Sequence, residues 1–250
     1  MSNLKKNSII IGGSSGVGRA LAENLAALGH SVIITARDKR DLDAVSANLS
    51  TRYQTLCLPI ELHLEKDDFD AKGFIDLCKS HLSSIDFIFF CAGAIDQNDD
   101  GIQNIHNLQH LMNINFLNIA KITAHLMPNF EKSNSGAIVF FSSIATARPR
   151  KRNVLYSTAK LGLESYARSL QHAFSNSNFR IQIYTLGYVD TSLSYGQKLL
   201  FPIASPESVA KYVIKNLDDD FCVKYFPRFW FPIVLILKHL PWFIFKKLSF

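Results

Sequence analysis

IIIGGSSGVGRALAENLAALG, residues 9–29, decides how the rest of the chain is read. Three isoleucines enter a turn holding Gly12, Gly16 and Gly18, and an alanine- and leucine-rich helical pattern leaves it. Glycines at a strand-to-helix turn let the backbone bend tightly. They also let its N–H groups approach a pyrophosphate at the helix N-terminus, where the helix dipole favours negative charge. A plain structural turn uses the same residues, so the strand-turn-helix context is what points to a dinucleotide. Ser14, Ser15 and Val17 belong to the same loop and join the expected cofactor contacts.

Beyond this loop, short β-branched runs alternate with helical patterns, the mark of βαβ units. They predict strands over 8–11, 31–36, 55–60, 85–90, 137–142, 180–185 and 221–224. The main helices are expected over 17–28, 69–81, 105–127, 154–174 and 206–216. The fold class is therefore α/β, a single doubly wound Rossmann-type domain with a seven-stranded parallel sheet covered by helices on both faces. Ligands in such sheets sit beyond the carboxyl ends of the strands. Residues 1–225 make up this nucleotide-binding and catalytic domain, and 226–250 an apolar, basic C-terminal helical appendage.

The second strand ends at Ala36, followed by Arg37. An acid at this strand end accepts from a ribose 2′-hydroxyl, whereas a small residue followed by arginine accommodates a 2′-phosphate. NADP(H) is the expected cofactor.

Bulk properties exclude several classes. A chain of 250 residues with 48% hydrophobic and 19% charged content builds one well-buried domain and is not disordered. Cys57, Cys78, Cys91 and Cys222 are widely spaced, which fits neither a zinc site nor a disulfide framework, and a reducing cytoplasmic compartment suits them. The apolar run after Lys5 and Lys6 is short and lacks a cleavage pattern, so no signal peptide is read. Net charge is +6, and residues 221–250 hold five basic residues and no acid. That excess lies in an aromatic, apolar segment, so nucleic acid is not an expected partner. No metal site is expected: His106 and His110 share a helical face but have no third ligand, and Asp218 to Asp220 read as a solvated turn.

Tyr156 and Lys160 stand four residues apart in a helical pattern, so both heads project from one face. Together with the glycine loop, the stretch Cys91-Ala92-Gly93, Asn115 and Ser143, they make the whole chain resemble the classical short-chain dehydrogenases/reductases. The resemblance implies a catalytic set of Ser143, Tyr156, Lys160 and Asn115. Tyr156 is the acid/base, Ser143 binds the substrate oxygen, Lys160 tunes the phenol and holds the nicotinamide ribose, and Asn115 positions a water in the proton relay. A tyrosine has a reference pKa near ~10, and lowering it by ~3 units needs about 4 kcal/mol of differential stabilisation. Lys160 and an oxidised nicotinamide are the expected sources. The resemblance also carries Cys91, Ala92, Gly93, Gly187, Val189 and Thr191 into the cofactor set, with Tyr156 and Lys160. Three departures stand out: Phe90-Cys91-Ala92-Gly93 replaces Asn-Asn-Ala-Gly, His63, beside Leu64, takes the place of the acid near the adenine, and Leu186-Gly187 replaces Pro-Gly.

Arg148, Arg150, Lys151 and Arg152 lie between Ser143 and Tyr156, where a basic loop suits an anionic substrate group or an anionic lipid surface. The segment FPRFWFPIVLILKHLPWFIFKKLSF, residues 226–250, is too interrupted to span a bilayer and reads as an interfacial element on an anionic membrane. An oligomer interface or a substrate lid is the competing reading, and a homo-oligomer is expected. The second half resembles the keto-reductases that partner decaprenylphosphoryl-ribose epimerisation. The expected reaction interconverts a ketone and a secondary alcohol on a lipophilic or lipid-linked substrate, with a phospho-sugar or a long-chain ketone such as 3-ketosphinganine as options. A catalytically idle NADP(H) sensor is the alternative from another class.

Overall fold

Ile9, Ile10 and Ile11 are all buried, which a strand achieves only when both of its faces are covered. In the computed structural model, which describes residues 6–96, 99, 105–149, 151, 153–194 and 201–247, with Ile105 and His106 as backbone only, they belong to β1 (Asn7–Ile11) at the heart of a parallel sheet. The other strands are β2 (Ser31–Ala36), β3 (Cys57–Glu61), β4 (Phe87–Phe90), β5 (Ala137–Ser143), β6 (Arg180–Leu186) and β7 (Val223–Phe226). Their order is β3-β2-β1-β4-β5-β6-β7, with every pairing parallel. The order reverses direction beside β1, and the crevice at that switch point is where such folds bind ligands.

The period of two along each strand splits the core into two layers. Ile9, Ile11, Ile33, Phe90 and Phe140 face one cluster, and Ile10, Ile34, Phe89, Phe141 and Tyr184 face the other. Pro59 sits in β3, the edge strand, where a missing N–H costs no ladder hydrogen bond on the outer side.

Helices α1 (Gly16–Ala27), α2 (Lys39–Tyr53), α3 (Ala71–His81), α4 (Ile105–Met112) and α5 (Asn118–Ser133) precede β5, with a π-helical turn Asn113–Leu117 between the last two. After β5 come α6 (Val154–Ala173), α7 (Pro206–Lys215), α8 (Trp230–His239) and α9 (Trp242–Phe245). The single helix expected over 105–127 is thus broken by the π turn and runs on to Ser133, through Pro128. Pro128 and Ala124, whose carbonyl it leaves without a donor, are both exposed, so water satisfies the lost bond, while Leu126, Met127 and Phe130 keep the helix docked. The boundary expected at 226 falls on the last residue of β7, so the sheet reaches into the segment read as an appendage. Among the described residues no helix is long and apolar enough to cross a membrane.

Candidate active site

A cleft of about 730 Å³ opens at the carboxyl ends of the strands. Its floor on one side is the glycine loop. A Cβ on Gly18 would stand 1.9 Å from the Gly12 carbonyl oxygen, so only glycine lets the start of α1 close onto the loop. Gly12 and Gly13 donate their N–H groups to the Thr35 carbonyl at 3.0 and 2.8 Å, which ties the loop to β2.

The N-terminus of α1 differs from its neighbours. Asp38, Asp70 and Ser205 cap α2, α3 and α7 with side-chain hydrogen bonds, whereas Ser15 makes no such bond and the first turn of α1 holds no acid. First-turn N–H groups that lack a side-chain acceptor and face a cleft fit a phosphate. Ala36 and exposed Arg37 line the rim beside them. Ser14, Ser15, Gly16, Val17, Leu64, Ala92, Val189 and Thr191 complete the expected cofactor set along the cleft.

His63 is the exception. The cleft is lined by Leu62, Leu64 and Glu65 around it. The His63 ring is instead held by Glu61 at 2.8 Å on Nε2 and Glu65 at 2.7 Å on Nδ1. These carboxylates, Glu61 foremost, raise its pKa above the usual histidine value. A histidine clamped by two acids is a local charge cluster, and the apolar leucines beside it present the surface a planar base would meet.

The other side of the cleft holds Ser143, Tyr156 and Lys160 together. Ser143 ends β5, and Tyr156 and Lys160 lie one turn apart on α6. Burial pushes the Tyr156 phenol above its ordinary pKa, and a hydrogen bond with Ser143 opposes that rise. Lys160, which is 4% exposed, points its Nζ to the Phe141 carbonyl at 3.1 Å, and burial lowers its pKa to about 8. The Cys91 thiol shares this buried environment and is pushed up by it.

Asn115 lies outside the cleft lining. Its Oδ1 accepts from the Ala94 N–H at 3.2 Å, and its Nδ2 donates to the Ala94 and Leu111 carbonyls at 2.9 Å each. The π turn aims this side chain at the loop after β4, so in this structure Asn115 positions that loop. Its Oδ1 is 3.4 Å from where a Cβ on Gly93 would stand, and Lys160 Nζ is 3.9 Å from the same point, so the missing side chain of the glycine leaves room for both polar groups.

Two acids that the sequence reading passed over support the catalytic helix. Asp99 accepts from the backbone N–H groups of Leu155 and Tyr156 at 2.8 and 3.0 Å, capping α6 from the loop after β4. Asn153, the local cap position, adopts a left-handed conformation and supplies no side-chain bond. Glu164, one turn beyond Lys160, accepts from Ser142 at 2.8 Å and Thr146 at 3.2 Å. Its other oxygen takes a two-pronged bond from Arg168 at 3.1 and 2.8 Å. Ser142 and Thr146 flank Ser143, so this clamp fixes the end of β5 against α6. The only local signal for either acid was a carboxylate in an apolar helical face for Glu164, and none for Asp99.

Helix α8 packs behind two residues of the cleft lining. Trp230, 2% exposed, packs against Gly187 so tightly that a Cβ there would meet the indole nitrogen at 1.8 Å, and it stacks edge-on against Tyr188 at 5.3 Å. Gly187 and Tyr188 both line the cleft. Arg148 donates to the Leu237 and Leu240 carbonyls and lies 4.2 Å over the Phe245 ring. The expected pairing of Arg148 with an anionic substrate is therefore replaced by a bond to the tail. Arg150 and Arg152 fall outside the described residues, as does the side chain of His106, and Lys151 is exposed. Asp219 pairs with Lys224 at 2.6 Å.

Residues 6–198 match the family model described as short chain dehydrogenase. The chain is 25% identical over 220 residues to a 3-oxoacyl-acyl-carrier-protein reductase of Aquifex aeolicus, covering 84% of this chain and 88% of that protein. It is 24% identical over 222 residues to a very-long-chain 3-oxoacyl-CoA reductase of Danio rerio, covering 86% and 70%. Its fold matches a short-chain dehydrogenase from Sphingobium yanoikuyae solved with NADPH, with a TM-score of 0.80 at 20% identity over 98% of this chain and 96% of that one.

Proposed function

We propose that this chain, which belongs to the short chain dehydrogenase family of oxidoreductases, interconverts a ketone and a secondary alcohol with NADP(H), on a lipophilic or lipid-linked substrate. One observation carries the reading: Tyr156, in contact with Ser143 and above Lys160, opens onto the same cleft as the uncapped N-terminus of α1 and Arg37.

The N-terminus of α1 would hold the pyrophosphate, Arg37 the 2′-phosphate, and Leu62 and Leu64 the adenine face. When bound, the reduced cofactor supplies a hydride to the carbonyl carbon. Desolvation raises the Tyr156 phenol above its ordinary pKa, so it keeps its proton near neutral pH and can give it to the carbonyl oxygen as negative charge develops there. The Ser143 Oγ accepts from the Ala145 N–H at 3.1 Å, and its own proton, which faces the Tyr156 phenol, would turn to that oxygen. Lys160 stays cationic below pH about 8 and sets a positive field beneath the reacting atoms. Glu164 and Asp99 hold Ser143 and Tyr156 in register. The lipophilic substrate is supported by Tyr188 in the cleft lining, backed by Trp230, and by the acyl substrates in the names of the two reductase relatives.

The test is NADPH oxidation with long-chain 3-oxoacyl thioesters and with short soluble ketones. The long-chain substrates should give the higher kcat/KM. Tyr156→Phe should cut turnover by roughly 10²–10⁴-fold while NADPH still binds, because a general acid contributes on that scale. Full turnover by Tyr156→Phe overturns the acid assignment, and an unmodified protein that binds NADPH but reduces no ketone favours the sensor reading.

A further inference from the structure

Helix α8 is apolar on every side, and the structure uses only one of them. Trp230 and Val234 are buried against the body, and the carbonyl end of the helix is held by Arg148. On the opposite side Phe231, Leu235 and Ile236 are 53%, 48% and 64% exposed, and Trp242, Phe243 and Ile244 of α9, the next helix along the chain, are 66%, 64% and 40% exposed. Six large apolar side chains exposed within fourteen residues mark a segment that meets another apolar phase. Arg228, Lys238, Lys246 and Lys247 are exposed around it, residues 221–250 contain no acid, and Glu164 of α6 acts on Lys238 from outside the segment.

That charge decides between occupants. A second copy meeting this face across a two-fold axis would bring the four cations of each protomer against those of the other, which opposes association. An anionic lipid surface brings opposite charge to the same cations and an acyl layer to the same aromatic side chains. We propose that α8 and α9 lay this face on an anionic membrane surface as a peripheral anchor. Docking rests on the geometry of the tail alone. Its consequence, that a lipophilic ketone passes from the bilayer into the cleft beside Trp230 and Tyr188, rests on the reductase reading above.

The test uses the full chain with phosphatidylcholine vesicles, with and without phosphatidylglycerol, in a flotation assay at low and high salt. The protein should float with the anionic vesicles at low salt and be released by high salt. The double variant Ile236→Glu with Phe243→Glu changes two exposed side chains, and its vesicle binding should fall at least ~10-fold, which corresponds to about 1.4 kcal/mol. Its NADPH affinity and melting temperature should match the unmodified protein. In Trp230→Phe the sole remaining tryptophan is Trp242, and its emission should shift to shorter wavelength when anionic vesicles are added. An unmodified protein that floats with neither vesicle type overturns the proposal, as does a double variant that floats undiminished. A dimer that the double variant dissociates, with no flotation before it, assigns the face to a second copy. NADPH titration of the same samples reports separately on the cofactor reading.

Discussion

The two walls of the cleft are closed by different kinds of contact. On the glycine-loop side, backbone meets backbone: Gly18 stands against the Gly12 carbonyl, and Gly12 and Gly13 bond to the Thr35 carbonyl. On the tail side, a large side chain meets backbone: Trp230 fills the space a side chain on Gly187 would need, and Arg148 reaches the carbonyls of Leu237 and Leu240. The first wall is built from residues close in sequence around a strand-turn-helix unit. The second joins segments 43 and about 90 residues apart, as 230 − 187 and the separations of the Arg148 bonds show. A local backbone wall recognises what every dinucleotide shares, whereas a long-range side-chain wall is free to vary with the substrate.

Removing the long-range wall tests this contrast most strongly. Trp230→Ala should destabilise the protein by about 3–5 kcal/mol, the usual cost of emptying a fully buried aromatic site. The loss should also raise KM for a lipophilic ketone more than Kd for NADPH. Calorimetry and NADPH titration check the two halves of that statement, and equal damage to both would mean that the walls are one mechanical unit.

Lys160 lies between the walls, and burial depresses its pKa to about 8 from 10.5. Below pH 8 the folded protein carries this cation at an electrostatic cost. Between about 8 and 10.5 the unfolded chain binds more protons than the folded one, so stability contributed by this group rises with pH through that window. The full difference amounts to about 3 kcal/mol at ~1.36 kcal/mol per unit. Lys160→Met should therefore flatten the rise, and the difference in unfolding free energy between the two proteins should shrink from pH 7 to pH 10. A constant difference would show that the ammonium is solvated.

The smallest effect belongs to the rim of the local wall. Arg37→Ala should weaken NADPH by roughly 1–3 kcal/mol and leave NADH nearly unchanged, since a single charge-assisted contact is lost. Equal loss for both cofactors would place Arg37 on the shared part of the dinucleotide.

The parts legible in sequence are those with a short period. The buried strands announced themselves by β-branched runs, and the glycine loop and the Tyr156/Lys160 pair by fixed spacing. Helix α2 was not singled out, although Asp38 caps it and Leu42, Val45 and Leu49 form its buried stripe; its polar outer face diluted the pattern. The helix expected over 105–127 runs on through Pro128 to Ser133, because no local rule shows that the freed carbonyl meets water. His63 read as a cleft residue from its place after β3, but Glu61 and Glu65 turned its ring into a charge cluster.

The seven parallel strands and the glycine turn were determined by the sequence alone, because each follows from residues a few positions apart acting through backbone geometry, whereas the roles of Ser143, Tyr156 and Lys160 were expectations from the family resemblance. Only the tertiary structure decided that Asp99 caps the catalytic helix across 56 residues, that Glu164 clamps the strand end bearing Ser143, that Arg148 holds the tail, and that the phenol of Tyr156 sits above its ordinary pKa. Those outcomes depend on burial and on which distant groups are brought within bonding distance, and desolvation is a property of the packed molecule that no local pattern carries.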